Sequence, residues 1–188
     1  GYAYTDADYA DKVIAITDKL VQYPAAPVSI PQTKADLVVE VPSIGDPAGI
    51  VSGTTKVTRD PLRLLISSYA SRLIEASPYF KDGISFQTGA GGIPLAVTAF
   101  MKEAMLKKGI KGSFGLGGIT GYFVELLKDG LVDKLMDVQS FDLEAVKSIG
   151  ENPNHIEISA DWYANPWNCG AAVNMLDVVI LGATEVDT

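Results

Sequence analysis

The residues best suited to chemistry in this sequence are glycines that run directly into a helix start. In Phe86-Gln87-Thr88-Gly89-Ala90-Gly91-Gly92-Ile93-Pro94 a strand-like segment meets three glycines, and helical spacing begins at once, with Pro94 in the first turn. Glycine admits backbone with φ > 0 and lets a ligand approach the main chain closely. The free amides of the following helix start then form a site for an anion or an oxyanion. The spacing is not the dinucleotide G-x-G-x-x-G, and no Lys-Ser/Thr pair follows as in a P-loop. A tight strand-to-helix turn without a ligand is the plain alternative. The tendency of ligands to gather beyond the carboxyl ends of parallel strands favours the functional reading.

A second run, Phe114-Gly115-Leu116-Gly117-Gly118-Ile119-Thr120-Gly121, repeats the arrangement between a strand and a helix. In a parallel sheet both loops open on one edge, so their amides can converge; two ordinary turns is the alternative. Glu125 lies about one turn into the next helix. A helical Glu is ordinarily solvated, but beside an acyl-binding loop it would serve as nucleophile or acid–base group, and Glu185 carries the same two readings. The aromatic and amide-rich segment from Ser159 through Tyr163 and Asn165 to Asn168 would either wall a pocket or pack between domains. His155 has no Ser or Asp partner recognisable by spacing and is expected at a strand start in a structural role. Cys169, among small residues, is expected only to pack.

Positioning such groups needs a real core, and the composition allows one. The chain has 188 residues, 47% of them hydrophobic and 20% charged, enough for one domain or one and a half. No apolar run approaches the length of a membrane span, and no secretory leader opens the chain. The net charge of −8 with scattered basic residues argues against a nucleic-acid face. An anionic ligand would have to be held by local amides, because the overall field repels it. One cysteine excludes an internal disulfide and a multi-cysteine zinc site, one histidine argues against a His-based metal site, and no metal is expected.

The elements divide at about residue 60. Val13–Thr17 and Leu37–Val41 read as strands, separated by a proline-rich loop with Pro24, Pro27 and Pro31. Pro42, Gly45, Pro47, Gly49 and Gly53 then break regular structure, so residues 1–59 read as the end of one domain plus a linker. Asp60-Pro61 is a helix-start signal, and Leu62, Leu65, Ile66, Tyr69, Leu73 and Ile74 form one apolar face through Ala76. From there the chain alternates: strand 84–88, helix 93–108 closed by Gly109, strand 113–116, helix 119–128, extended 131–138, helix 142–149, strand 155–159 and strand 176–181. Alternation of this kind implies a parallel sheet flanked by helices. Gly1 in place of Met, and a strand-like run only seven residues before Thr188, read as a fragment incomplete at both ends.

Several long blocks carry a family resemblance in the right order. They are SFQTGAGGIPLAV, FGLGGITGYFVELLKDGLV, LMDVQSFD, NPNHIEISADWYAN and LDVVILGATEVDT, preceded by AITDKLVQYP and SIGDPAGIVSGTTKVTRDP. Together they resemble the α subunit of citrate lyase, a citrate CoA-transferase, and this chain looks like its middle portion. GAGGIP is also similar to the GxGxIP oxyanion motif of the wider CoA-transferase superfamily. The resemblance implies a CoA-transferase-like α/β fold, with residues 60–188 forming the first part of a second such domain. It implies exchange of acetyl on a carrier thioester for citrate, giving citryl-carrier and acetate, in a cytoplasmic complex with acyl-carrier and lyase subunits. No tightly bound cofactor is implied. Acetyl-CoA, or a carrier-linked dephospho-CoA-type group, is substrate.

By the same resemblance Gly89, Gly91 and Gly92, with Gln87, Thr88 and Ala90, form the thioester site. Gly117, Gly118 and Thr120 line its wall, and Tyr163 and Asn165 its substrate side. Glu125-Leu126-Leu127-Lys128-Asp129-Gly130 resembles the superfamily's glutamate segment, whereas alignment on Gly118-Ile119-Thr120 puts Gly121 in that place. An acetyl-CoA hydrolase, another carboxylate CoA-transferase, or a piece that only docks partner subunits are the competing readings. An open sheet edge invites pairing with a second copy.

Overall fold

The computed structural model describes residues 1–50, 55–183, 185 and 187; the break expected at Gly53 lies outside them. A helix that the sequence reading did not anticipate, α1 (Tyr2–Tyr9), opens the chain and buries only Ala7. β1 (Ile14–Thr17) and β2 (Leu37–Glu40) then pair in parallel, Ile14 opposite Leu37 and Thr17 opposite Glu40. Asp36 ties their start together, accepting from the Val13 amide at 2.9 Å and from Lys12 Nζ at 3.1 Å. Parallel strands are ordinarily covered on both faces. Here Ile14, Ile16, Leu37 and Val38 are all exposed.

The remainder runs α2 (Pro61–Ala76), β3 (Phe86–Thr88), α3 (Gly92–Lys108), β4 (Gly112–Ile119), α4 (Gly121–Lys128), β5 (Val132–Ser140), α5 (Leu143–Glu151), β6 (His155–Glu157), α6 (Ala160–Ala164) and β7 (Val178–Ile180). The last five strands form one sheet in the order β6-β5-β4-β3-β7, and every pairing in it is parallel. The chain therefore enters at β3, steps outward to β6, and returns past its starting strand to β7. Right-handed crossovers place outward-stepping helices on one face and the returning segment on the other.

The two cores follow that division. On one side Phe86, Ile119 and Leu135 meet Val97, Met101 and Met105 of α3 and Phe123, Val124 and Leu126 of α4; Phe86 and Phe123 stack with centroids 5.3 Å apart. On the other, Leu116, Val138 and Ile158 pack with Ala172 and the partly buried Tyr163 and Leu176. No helix among the described residues is long and apolar enough to cross a membrane.

α2 starts where Asp60-Pro61 predicts, with Asp60 Oδ1 accepting from the Arg63 amide at 2.9 Å. Its facing differs from the expectation. Leu62, Leu65, Ile66, Tyr69 and Leu73 are 46–75% exposed, while Ser67 and Ser71 are buried. The small serines let α2 approach α3 closely, and Ser67 Oγ donates to both the Arg63 and Ile93 carbonyls. Of the anticipated apolar face only Ile74 reaches the core, beside Ala70.

Candidate functional site

The first glycine run lies at the carboxyl end of β3, where the strand order reverses. Gly89 N donates to Ile180 O of β7 at 2.7 Å, so the loop spans the crevice between the two strands, the position where open α/β sheets take ligands. Gly91 is the N-cap of α3 at φ −71°, ψ 159°, and the positive-φ glycines lie elsewhere, at Gly45, Gly83, Gly109, Gly117 and Gly130. Left-handed backbone is thus not what this loop requires. Close approach is: a Cβ on Gly92 would stand 3.1 Å from Lys56 O and from Thr58 N, whereas one on Gly91 would meet only Pro94 Cδ at 3.6 Å.

Among the described residues, the amides of Ala90, Gly91, Gly92 and Ile93 have no acceptor. They are orphan donors of a helix start, at the positive end of the α3 dipole. The first turn of α3 holds no acidic side chain. Residues 56–58 run over one side of the loop, and Thr58 N donates to Gly92 O at 3.2 Å. Among the described residues, only Pro94 Cδ comes within 4 Å of a Cβ placed on Gly91.

On the opposite face of β3, the Gln87 amide lies across Gly117, where a Cβ would come within 3.0 Å of Gln87 Cδ and Nε2 and where φ is +104°. Gln87 Nε2 donates to Tyr163 Oη at 2.8 Å, and that hydroxyl is 3.1 Å from Oε1. Gln87, Gly117 and Tyr163 therefore meet two residues upstream of Gly89. Thr88 is buried in β3, paired with Ile180.

Three expected members stand elsewhere or do other work. Gly117 and Gly118 belong to β4, which runs through Ile119 instead of ending at Leu116, and the β4–β5 register shifts between them. A side chain on Gly118 would collide with the Phe141 ring, which accounts for that glycine by packing. Thr120 is the buried N-cap of α4, its hydroxyl unpartnered among the described residues. The first amide of that helix is already answered: Gly121 N donates to Asp142 Oδ2 at 2.7 Å, while Asp142 Oδ1 caps Ala145 N of α5 at 2.9 Å. The second glycine run reaches the same sheet edge as the first, but a carboxylate occupies its helix start.

Glu125 sits on the outer side of α4, 3.2 Å from Lys102 Nζ, which also pairs with Asp129 at 2.7 Å. The hydrogen bond to Asp129, with help from Glu125, holds the Lys102 ammonium above its ordinary range against partial desolvation. Lys102 is ten residues along α3 from Gly92, about 15 Å at helical rise. The glutamate is therefore not brought to the glycine loop. Asn165 caps α6 and spends its side chain on Asp161 and on the Trp167 amide.

His155 stands at a strand start, as expected, but it does have partners. Nδ1 is 2.9 Å from Ser148 Oγ and Nε2 is 3.2 Å from Asp137 Oδ2, which also accepts from Ser140. They come from three elements, Asp137 and Ser140 from β5, Ser148 from α5 and His155 from β6, so no spacing signals the cluster. The one available hint was an Asp two residues after the core residue Leu135, on the same face of its strand. This buried cluster adjoins a cleft of about 630 Å³ lined by Tyr4, Ser29, His155 and Glu157, at the β6 edge of the sheet rather than at the glycine loop.

The family model of the citrate lyase alpha subunit (CitF) matches residues 1–188. The citrate lyase alpha chain of Haemophilus influenzae is 52% identical over 188 residues, covering 100% of this chain and 38% of the relative. That of Escherichia coli is 50% identical over the same 188 residues and 37% of its own length. The crystal structure of a citrate lyase alpha subunit from Streptococcus mutans, in complex with citrate, matches with a TM-score of 0.91 at 53% identity, covering 99% of this chain and 37% of that one. This chain thus spans less than two-fifths of the length of these relatives. With the whole of its length matched and about half of its residues shared, the chain belongs to the citrate lyase alpha subunit family.

Proposed function

We propose that this chain forms part of an acyltransferase subunit that exchanges the acetyl group of a carrier thioester for citrate, in a complex with acyl-carrier and lyase subunits in the cytoplasm. The observation that carries the proposal is the set of unanswered amides from Ala90 to Ile93 at the sheet's reversal point. A thioester carbonyl needs an oriented amide hole and an attacking group. The attacking group is a citrate carboxylate oxygen. It adds to the acetyl carbonyl, the C–S bond breaks, and the thiolate leaves an acetyl–citryl anhydride. The thiolate then attacks the citryl carbonyl and acetate departs. At each addition the developing oxyanion faces the α3 amides. No enzyme nucleophile is required, in keeping with the position of Glu125 on the far side of α4. Gln87 and Tyr163 supply an amide and a hydroxyl beside the loop to orient the incoming carboxylate.

Gly91→Val in the complete subunit tests the assignment. The φ and ψ of Gly91 suit any residue and a Cβ has room there, so thermal stability should hold. Acetyl exchange from acetyl-CoA should fall by about 100-fold or more, the scale of one lost oxyanion donor. Unchanged exchange would overturn the site. A second reading is docking of partner subunits without turnover. Tight carrier binding by a full-length form that exchanges no acetyl would support it, and a screen of citrate, acetate, succinate and butyrate separates other CoA-transferases.

A further inference from the structure

The outer face of α2 is a continuous apolar stripe that none of the described residues covers. At about 100° per residue, Leu62, Leu65, Ile66, Tyr69 and Leu73 form one stripe, and the buried Ser67 and Ser71 lie on the opposite side. The spacing i, i+3, i+4, i+7, i+11 is the seam that a second helix packs into. Arg63 and Arg72 flank the stripe, one on each side, and neither has a carboxylate partner among the described residues; Arg72 rests over the Tyr69 ring at 5.9 Å.

We propose that this stripe is an internal face of the complete subunit, covered by an amphipathic helix with acidic flanks from the part of the polypeptide that the relatives possess and this chain does not span. The proposal rests on the reading of the chain as a portion of such a subunit. Two observations select this occupant. The relatives extend well past the matched region, which is 38% of one and 37% of another, so ample chain exists to cover the face. The strip is also small: it offers five partly exposed apolar side chains, whereas a stable dimer engages about 20–30 residues and buries about 800 Å² per partner. A tethered segment has a high effective concentration and needs no such area. A sheet edge is a poor occupant, because the side of a helix offers it no backbone hydrogen bonds.

The test places a probe on the stripe: Leu65→Cys, with Cys169→Ser to remove the exposed thiol, in the full-length polypeptide. Alkylation of Cys at position 65 is followed by peptide mass spectrometry, against the same protein in urea. The expected result is labelling slowed about 100-fold, as for a residue reached only by local opening, and unaltered over about a thousand-fold dilution, as tethering requires. Rapid labelling at all concentrations would overturn the proposal. Protection lost on dilution would assign the face to a second copy, and protection only after adding carrier and lyase subunits would assign it to them; either result also overturns it. Acetyl exchange measured on the same sample separates the two readings, since protection without activity keeps the covered face and rejects the catalytic assignment. A charge reversal, Arg63→Glu with Arg72→Glu, should lower the melting temperature of the full-length protein if acidic flanks are present. No change would remove that part of the proposal.

Discussion

At the scale of single residues, the buried cluster around His155 is the most consequential feature outside the glycine loop. Asp137, Ser148 and His155 are all nearly inaccessible, and their hydrogen bonds join β5, α5 and β6. Asp137→Ala would strand the imidazole Nε2 in the interior and remove the acceptor of the half-buried Ser140 hydroxyl. The expected loss is about 3 kcal/mol, read as a lowered urea midpoint with an unchanged slope. A change near zero would mean water or repacking fills the gap. Asp36 offers a pH-dependent case. The Val13 amide, and then Lys12, hold its carboxyl below the ordinary carboxylate range. Its contribution is therefore complete above the unfolded value and is lost as pH falls through the folded one. Asp36→Asn should slightly lower stability at neutral pH, leave it nearly unchanged at low pH, and so flatten that part of the acid limb. An identical acid limb in both proteins would show that the bond is not formed in solution.

At the scale of elements, local signals were legible and facing was not. Asp60 and Pro61 marked the start of α2, and Gly109 the end of α3, because capping depends only on neighbouring residues. The stripe on α2 has the right period for a helix, but period alone does not tell an inward face from one turned away from the local core. β4 was read short because Gly115, Gly117 and Gly118 look like a loop. In the structure they make room for Phe123, Gln87 and Phe141, contacts that no local pattern reveals. Gly118→Ala should accordingly cost about 1–3 kcal/mol through overpacking against Phe141, seen as a lower melting temperature. Gly118→Ala combined with Phe141→Leu should recover part of it; no recovery would place the strain in the backbone shift beside Gly118 instead. α6 escaped notice because five residues are too few to show a period.

For the whole molecule, alternation of strand and helix was enough to indicate a parallel sheet with helices on its faces. Strand order was not legible, since nothing in residues 178–180 says that they return beside β3 rather than extend past β6. That return decides where the reversal point falls, and so which of the two glycine runs faces the crevice. It also separates the paired residues Phe86 and Val178, or Thr88 and Ile180, by 92 positions of chain. During synthesis the α3 amides can form their turn long before β7 leaves the ribosome, yet the crevice they face has only one wall until then. Loop-closure entropy makes such a pairing slow. Closure of that crevice is therefore a late event in the folding of residues 60–188, and under the proposed function the α3 amides meet a thioester in a two-walled site only after β7 has docked.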